Sequence, residues 1–208
     1  MKNARGPSVP GMNRREGAPV QPEVERELIQ KCRSGDSRFY EPLVRAYEPQ
    51  GFRVALGMMG NPDDARDALQ EAFVKAFQNL SRFDTRRAFG PWFFQILRNQ
   101  CRDQLRSRAA RFRVEVVEDD ILEFRPDETP SSAKRHRERT EARRLLWRAL
   151  ERVPDDQREI LVLKELEGFR YQEIASILEI PEGTVASRLY HARKALRDAL
   201  DEMGAEYP

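Results

Sequence analysis

The sequence predicts an all-α protein of two small helical domains joined by a flexible acidic linker. Apolar residues recur at helical spacing through most of the chain. Capping residues, prolines and glycines punctuate those stripes where helices should start and stop. Near the middle the charge reverses sign: Val114–Glu128 holds seven Asp/Glu against one Arg and runs into Thr129-Pro130-Ser131-Ser132. A composition of 39% apolar and 35% charged residues suits small helical units that expose much surface.

The first twenty-two residues carry four Pro, three Gly and four Lys/Arg, and read as a disordered tail. Glu23–Ser34 reads as a helix with Val24, Leu28 and Cys32 inward. Gly35-Asp36 ends it, and Asp36 can cap the next. That helix carries Phe39, Leu43, Ala46 and Tyr47, with Pro42 predicting a kink or a late start. Beyond Pro49, Phe52–Met59 is an apolar helical stretch closed by Gly60.

Asn61-Pro62-Asp63-Asp64 is a strong helix start: a capping Asn, Pro at the first helical position and acids in the first turn. The helix should run to about Asn79, with Ala65, Ala68, Leu69, Ala72, Phe73, Ala76 and Phe77 as its buried stripe. Asp64, Asp67, Gln70, Glu71, Val74, Lys75 and Gln78 face elsewhere. Leu80–Gly90 should be a loop anchored by Phe83 and Phe89. From Pro91 to about Arg108 a further helix turns Trp92, Phe93, Ile96, Leu97, Cys101 and Leu105 inward. Arg98, Arg102 and Arg106 form a basic stripe on it, and from Arg98 to Arg113 six Arg oppose one Asp. Aromatics beside a basic helix are what single-stranded nucleic acid needs, although a core cluster beside a solvated Arg face has the same composition.

After the linker, Leu145, Leu146, Leu150 and Val153 mark a buried face. Val153-Pro154-Asp155 breaks that helix, and Asp155 or Asp156 caps another holding Ile160, Leu161, Leu163 and Leu166. Ile174, Ala175, Ile177 and Leu178 then give a short amphipathic helix. Ile180-Pro181-Glu182-Gly183 interrupts it, and Thr184 or its neighbours can cap the last helix. That helix buries Val185, Leu189, Ala192 and Leu196. Its other face offers Ser187, Arg188, Tyr190, His191, Arg193, Lys194 and Arg197; from Glu182 to Arg197 the net charge is +3. Small Ala175 at the crossing and this basic outer face fit a helix-turn-helix that enters a DNA major groove. Non-binding αα-hairpins share the same periodicity.

The overall net charge is only +2, so partners must be read from local clusters. Two cysteines, Cys32 and Cys101, lie far apart without metal-ligand spacing, which fits a reducing compartment. No apolar run approaches the ~20 residues of a membrane helix, and a cytoplasmic location is expected. A phosphate-binding Gly-Lys loop, a His-Glu-x-x-His motif and a Cys/His cluster are all missing. His136 and His191 have no evident nucleophile or carboxylate partner. Catalysis is therefore not expected, nor is a metal or cofactor.

Several segments, taken in order, resemble the two-domain extracytoplasmic-function (ECF) class of bacterial RNA polymerase sigma factors. In the first half they are GDSRFYEPLVRAY, DALQEAFVKAFQNLSRF and PWFFQILRNQCRDQLR. In the second they are LERVPDDQREILVLKELEGFRYQEIASIL and GTVASRLYHARKALR. The resemblance implies a region 2-like domain over 23–110, a linker over 111–138, a region 4-like domain over 139–202 and a short tail over 203–208. It implies an alternative sigma factor that joins core RNA polymerase through the beta and beta-prime subunits and directs it to promoters. Asp67, Gln70, Glu71 and Lys75 would contact polymerase. Phe83 and Asn99 would line a pocket for a flipped base of the −10 element, with Arg98, Arg102 and Arg106 on phosphates. Thr184, Ser187, Arg188, Tyr190, His191 and Arg193 would serve the −35 element. Ala186 stands where many members carry Arg, which removes a long donor. An anti-sigma factor, often membrane-bound, is a further implied partner. The competing function is a helix-turn-helix repressor or activator that never joins polymerase, but a duplex reader needs neither the aromatic-basic segment nor the acidic helix before it.

Overall fold

A computed structural model describes residues 21–112 and 133–204. Its helices are α1 (Pro22–Arg33), α2 (Tyr40–Met59), α3 (Pro62–Asn79), α4 (Phe89–Phe112), α5 (Ala133–Arg152), α6 (Asp155–Leu161), α7 (Tyr171–Leu178) and α8 (Glu182–Glu202). No strand occurs among the described residues, and none of their helices is long and apolar enough to cross a membrane. Most of the expected N-terminal tail, most of the acidic linker and the last four residues lie outside the described residues, and Pro22, assigned to the tail, opens α1. α4 extends to Phe112 and α5 begins at Ala133, so helix reaches into the expected linker from both sides.

Local sequence accounts for most boundaries. Asp36 accepts the Arg38 N–H at 3.2 Å and caps a single 3₁₀ turn, Ser37–Phe39, ahead of α2. Pro42 then falls in the first turn of α2, where its missing N–H has no intrahelical role. Asn61 caps α3 by accepting from Asp63 N–H (2.8 Å) and Asp64 N–H (3.2 Å). The break expected at Pro49 is absent, because α2 runs through it to Gly60, which takes a left-handed φ of 73°. Burial of Tyr47, Gly51, Val54 and Ala55 on both sides of Pro49 holds the helix together across the lost hydrogen bond. Gly51 permits this close packing: a Cβ there would lie 2.7 Å from Leu69 Cδ1.

Further residues depart from expectation. Phe77, assigned to the buried stripe of α3, is 43% exposed and tilts against Tyr40, with ring centroids 5.0 Å apart. Neither Asp155 nor Asp156 caps α6; the helix starts at Asp155 behind Pro154, whose fixed φ already suits the position. Thr184 sits inside the first turn of α8, which begins at Glu182, rather than capping it. Glu179, in the left-handed region at φ 55°, makes the turn between α7 and α8.

Buried residues of the two helical domains join in one apolar cluster. α6 and the π turn after it (Val162–Leu166) pack on α2, while α7 packs on α4. Phe94, unassigned by periodicity, meets Phe169 edge-on at 4.9 Å. Gly57 of α2 lies directly under Val162. Arg53 reaches Glu167 with two bonds of 2.9 Å, and burial raises the Glu167 carboxyl pKa despite that guanidinium.

Candidate polymerase and nucleic-acid interfaces

The outer face of α3 is set by its buried stripe. With the alanines of α3, Leu69 and Phe73 turned inward, Asp67, Gln70, Glu71, Val74 and Lys75 are left exposed. A groove of about 970 Å³ runs between this face and α4, bordered on the far side by Asp103, Gln104 and Arg108. Arg108 pairs with Asp64 across it. Inside the groove Gln100, only 4% exposed, accepts from Lys75 Nζ and donates to Glu71. Two of the residues expected to meet polymerase are thus fixed by a third that periodicity did not single out. The available signal was a glutamine on the inward register of α4, next to Leu97 and Cys101.

Beside this groove, the end of α3, the 80–89 loop and α4 enclose a smaller cavity of about 350 Å³. Its apolar wall is Phe83, Trp92 and Ile96; Phe83 and Trp92 tilt together with centroids 4.6 Å apart, and Phe89 supports both. Asn79, Arg82 and Asn99 give it a polar rim. Phe83 is 4% exposed, so it serves as a wall rather than a free stacking platform. The loop turns at Asp84, which accepts the Arg86 N–H (3.0 Å) and guanidinium. Those bonds pull the Asp84 carboxyl pKa down to about 2. A planar heterocycle against Trp92 and Phe83, with its edge toward the asparagines, matches this arrangement of apolar wall and convergent polar groups.

The expected arginine stripe of α4 is not a uniform solvent face. Arg98 is buried and donates to Glu159 of α6 at 2.9 and 3.0 Å. Arg102 lies 3.6 Å from the same carboxylate and is partly exposed, whereas Arg106 is exposed. An i,i+4 repeat places side chains on one helix face but does not say what packs against it. Here the second half of the chain covers Arg98.

On α8, Val185, Leu189 and Ala192 are buried against α6 and α7, leaving Ala186, Ser187, Arg188, Tyr190 and His191 exposed. Ser187 donates to the Thr184 carbonyl at 3.0 Å. Tyr190, 68% exposed, sits edge-on to His191. Arg193 is held by Glu165 at 2.6 and 2.9 Å, so it already has a partner within its own half. Among the described residues no cluster of His, Cys, Asp or Glu could hold a metal ion.

Two helical halves, one with an aromatic cavity and the other with a basic helix-turn-helix, correspond to known sequence profiles. Sigma-70 region 2 matches residues 43–111, and sigma-70 region 4 matches residues 143–196. The chain belongs to the sigma-70 family. It is similar to the RNA polymerase sigma-H factor of Pseudomonas aeruginosa, at 30% identity over 87% of this chain and 96% of that protein. The ECF RNA polymerase sigma factor SigW of Bacillus subtilis is 27% identical over 86% of this chain and 97% of its own length. The ECF RNA polymerase sigma-E factor of Escherichia coli is 30% identical over 83% and 92%. These relatives put this sigma factor in the ECF class. Among solved structures it is similar to CnrH in complex with the cytosolic domain of CnrY (TM-score 0.61, 26% identity, 86% of this chain and 98% of that one). It is also similar to RpoE in complex with the anti-sigma factor NepR from Bartonella quintana (TM-score 0.63, 25% identity, 78% and 96%). The protein is an alternative sigma factor, which binds core RNA polymerase and directs it to promoter DNA. A repressor or activator acting apart from polymerase does not fit this membership.

Proposed function

We propose that this sigma factor divides promoter recognition among the surfaces just described. The exposed α3 face, with Asp67, Gln70, Glu71 and Lys75, docks on core polymerase. The Phe83–Trp92 cavity receives an unstacked −10 base, whose edge meets Asn99. Arg102 and Arg106 neutralise nearby phosphates, and Arg98 joins them only where it gives up Glu159. The outer face of α8 enters the major groove at the −35 element through Ser187, Arg188, Tyr190 and His191, with Thr184 and Arg193 at its margins. The factor does no chemistry of its own; polymerase supplies phosphoryl transfer, and both act in the cytoplasm. An anti-sigma factor controls it, a reading supported by the partners in the CnrH and Bartonella RpoE complexes.

The observation that carries this reading is the cavity itself. It sits immediately beside the α3 face, so docking on polymerase would present it to the strand being opened. Unstacking a base costs a few kcal/mol, which aromatic contact and rim hydrogen bonds can offset. Transcription in vitro with core polymerase on a pool of genomic fragments tests it. Discrete starts that require this protein and share upstream −35 and −10 elements are expected. A protein that binds duplex DNA without producing starts would sink the proposal.

A further inference from the structure

The 80–89 loop that walls the cavity is held from outside by α1. Arg33, in the last turn of α1, donates through Nε to the Leu80 carbonyl at 2.9 Å and through Nη2 to the Phe83 carbonyl. Glu25, two turns earlier and 7% exposed, accepts the Phe89 N–H at 3.3 Å. Its other oxygen accepts the Tyr47 hydroxyl, which fixes the carboxylate's orientation. α1 therefore grips both ends of the loop: the carbonyls where α3 gives out, and the amide where α4 begins. Between those ends the loop's own bonds are local, from Arg86 and Arg87 to Asp84. Capping a carbonyl at a helix C-terminus needs one donor at a time. A guanidinium fork spanning two carbonyls three residues apart instead sets the path of the chain between them. α1 also lies outside residues 43–111, which match region 2.

We infer that α1 is a strut for base capture, with Arg33 and Glu25 as positioning residues that keep the Phe83–Trp92 cavity formed before DNA arrives. The inference rests on the proposed −10 role of that cavity. Capture of an unstacked base gains only what stacking and rim contacts return beyond the unstacking cost. A loop that had to be ordered in the same step would subtract from that margin. Neither Arg33 nor Glu25 needs to touch nucleic acid for this. Arg33 works through the positions of Phe83 and its neighbours, and Glu25 through the first residue of α4.

The test uses the full-length protein with core polymerase, on a promoter found by start mapping. One template is fully duplex, and the other has the −10 element already unpaired. Arg33 is exposed, so Arg33→Ala should fold and bind core with wild-type affinity. Opening of the duplex promoter should slow roughly ten-fold, the scale of losing a pair of ordinary hydrogen bonds in the rate-limiting step. On the unpaired template the loss should stay within about two-fold, because the unstacking cost has been removed beforehand. Arg33→Lys should behave like Arg33→Ala, since a single ammonium cannot span both carbonyls. Equal losses on the two templates, or full rescue by lysine, would overturn the strut. Asn99→Ala, run alongside, separates the two ideas. A normal Asn99→Ala would remove the −10 reading and the strut with it; a defective Asn99→Ala beside a normal Arg33→Ala would remove the strut alone.

Discussion

Arg98 of α4 and Glu159 of α6 face each other as two forks, Nε to Oε2 at 2.9 Å and Nη2 to Oε1 at 3.0 Å, with side chains 9% and 1% exposed. This pair lies at the joint between the two halves. Removing one partner would strand the other charge away from water. Glu159→Ala should therefore cost about 3–5 kcal/mol in urea unfolding. Replacing both, as Arg98→Met with Glu159→Leu, should recover most of that loss, because an apolar pair carries no desolvation penalty. If Glu159→Ala unfolds like wild type, the pair is not buried in solution and the halves are apart.

The same joint can be probed without charge at Gly57. An added Cβ would meet both Val162 methyls at 2.7 Å. Alanine gains about 1 kcal/mol of helix propensity over glycine, whereas overpacking a filled core costs about 1–3 kcal/mol. The clash should win, so Gly57→Ala is expected to be destabilising. Adding Val162→Ala should make the combined loss smaller than the sum of the single losses, a coupling that a double-mutant cycle in urea reads. Strict additivity would mean that α2 and the π turn do not touch.

Glu25 gives the protein a pH signature. Burial raises its carboxyl pKa, more than the Tyr47 hydroxyl and the Phe89 N–H pull it down. Between the ordinary value of 4.5 and the raised one, the folded state binds the proton more tightly than the unfolded chain. Raising the pH through that window therefore removes stability. Glu25→Gln cannot titrate there, so wild-type stability should fall relative to the variant as pH climbs from 4.5. Melting curves of both proteins across the window provide the check, and parallel trends would exclude the coupling.

On α8, Ala186 is exposed beside Arg188, so a longer donor has room. Ala186→Arg should change which base is preferred at one −35 position, while Arg188→Ala should relax preference at its own. Each well-made Arg–guanine pair contributes about 1–3 kcal/mol of discrimination. Start-site yields from a promoter library randomised at −35 would show either change. A uniform drop across all −35 sequences would instead assign these positions to phosphate.

Much of this protein was legible because helices are local. The Asn61-Pro62 start of α3, the Gly60 stop of α2 and the buried faces of α7 and α8 depend on residues within a turn or two of one another. Phe83 and Asn99 came from the resemblance to sigma factors rather than from periodicity, and the folded chain sets both in the lining of one cavity. What the sequence by itself determined was an all-α chain of two helical halves, a basic helix-turn-helix and the polar face of α3. Tertiary structure decided how those faces are used. Arg98 reads as one of three equivalent arginines until α6 brings Glu159 against it. Phe94 fits no stripe until Phe169 arrives from the other half, and Gln100 is an ordinary glutamine until Glu71 and Lys75 close around it. Arg33 and Glu25 look like solvated helix ends until the loop's backbone falls within their reach. Each of these contacts joins residues far apart in sequence. Periodicity along one helix fixes which way a side chain points; its contacts there are fixed only when the helices pack.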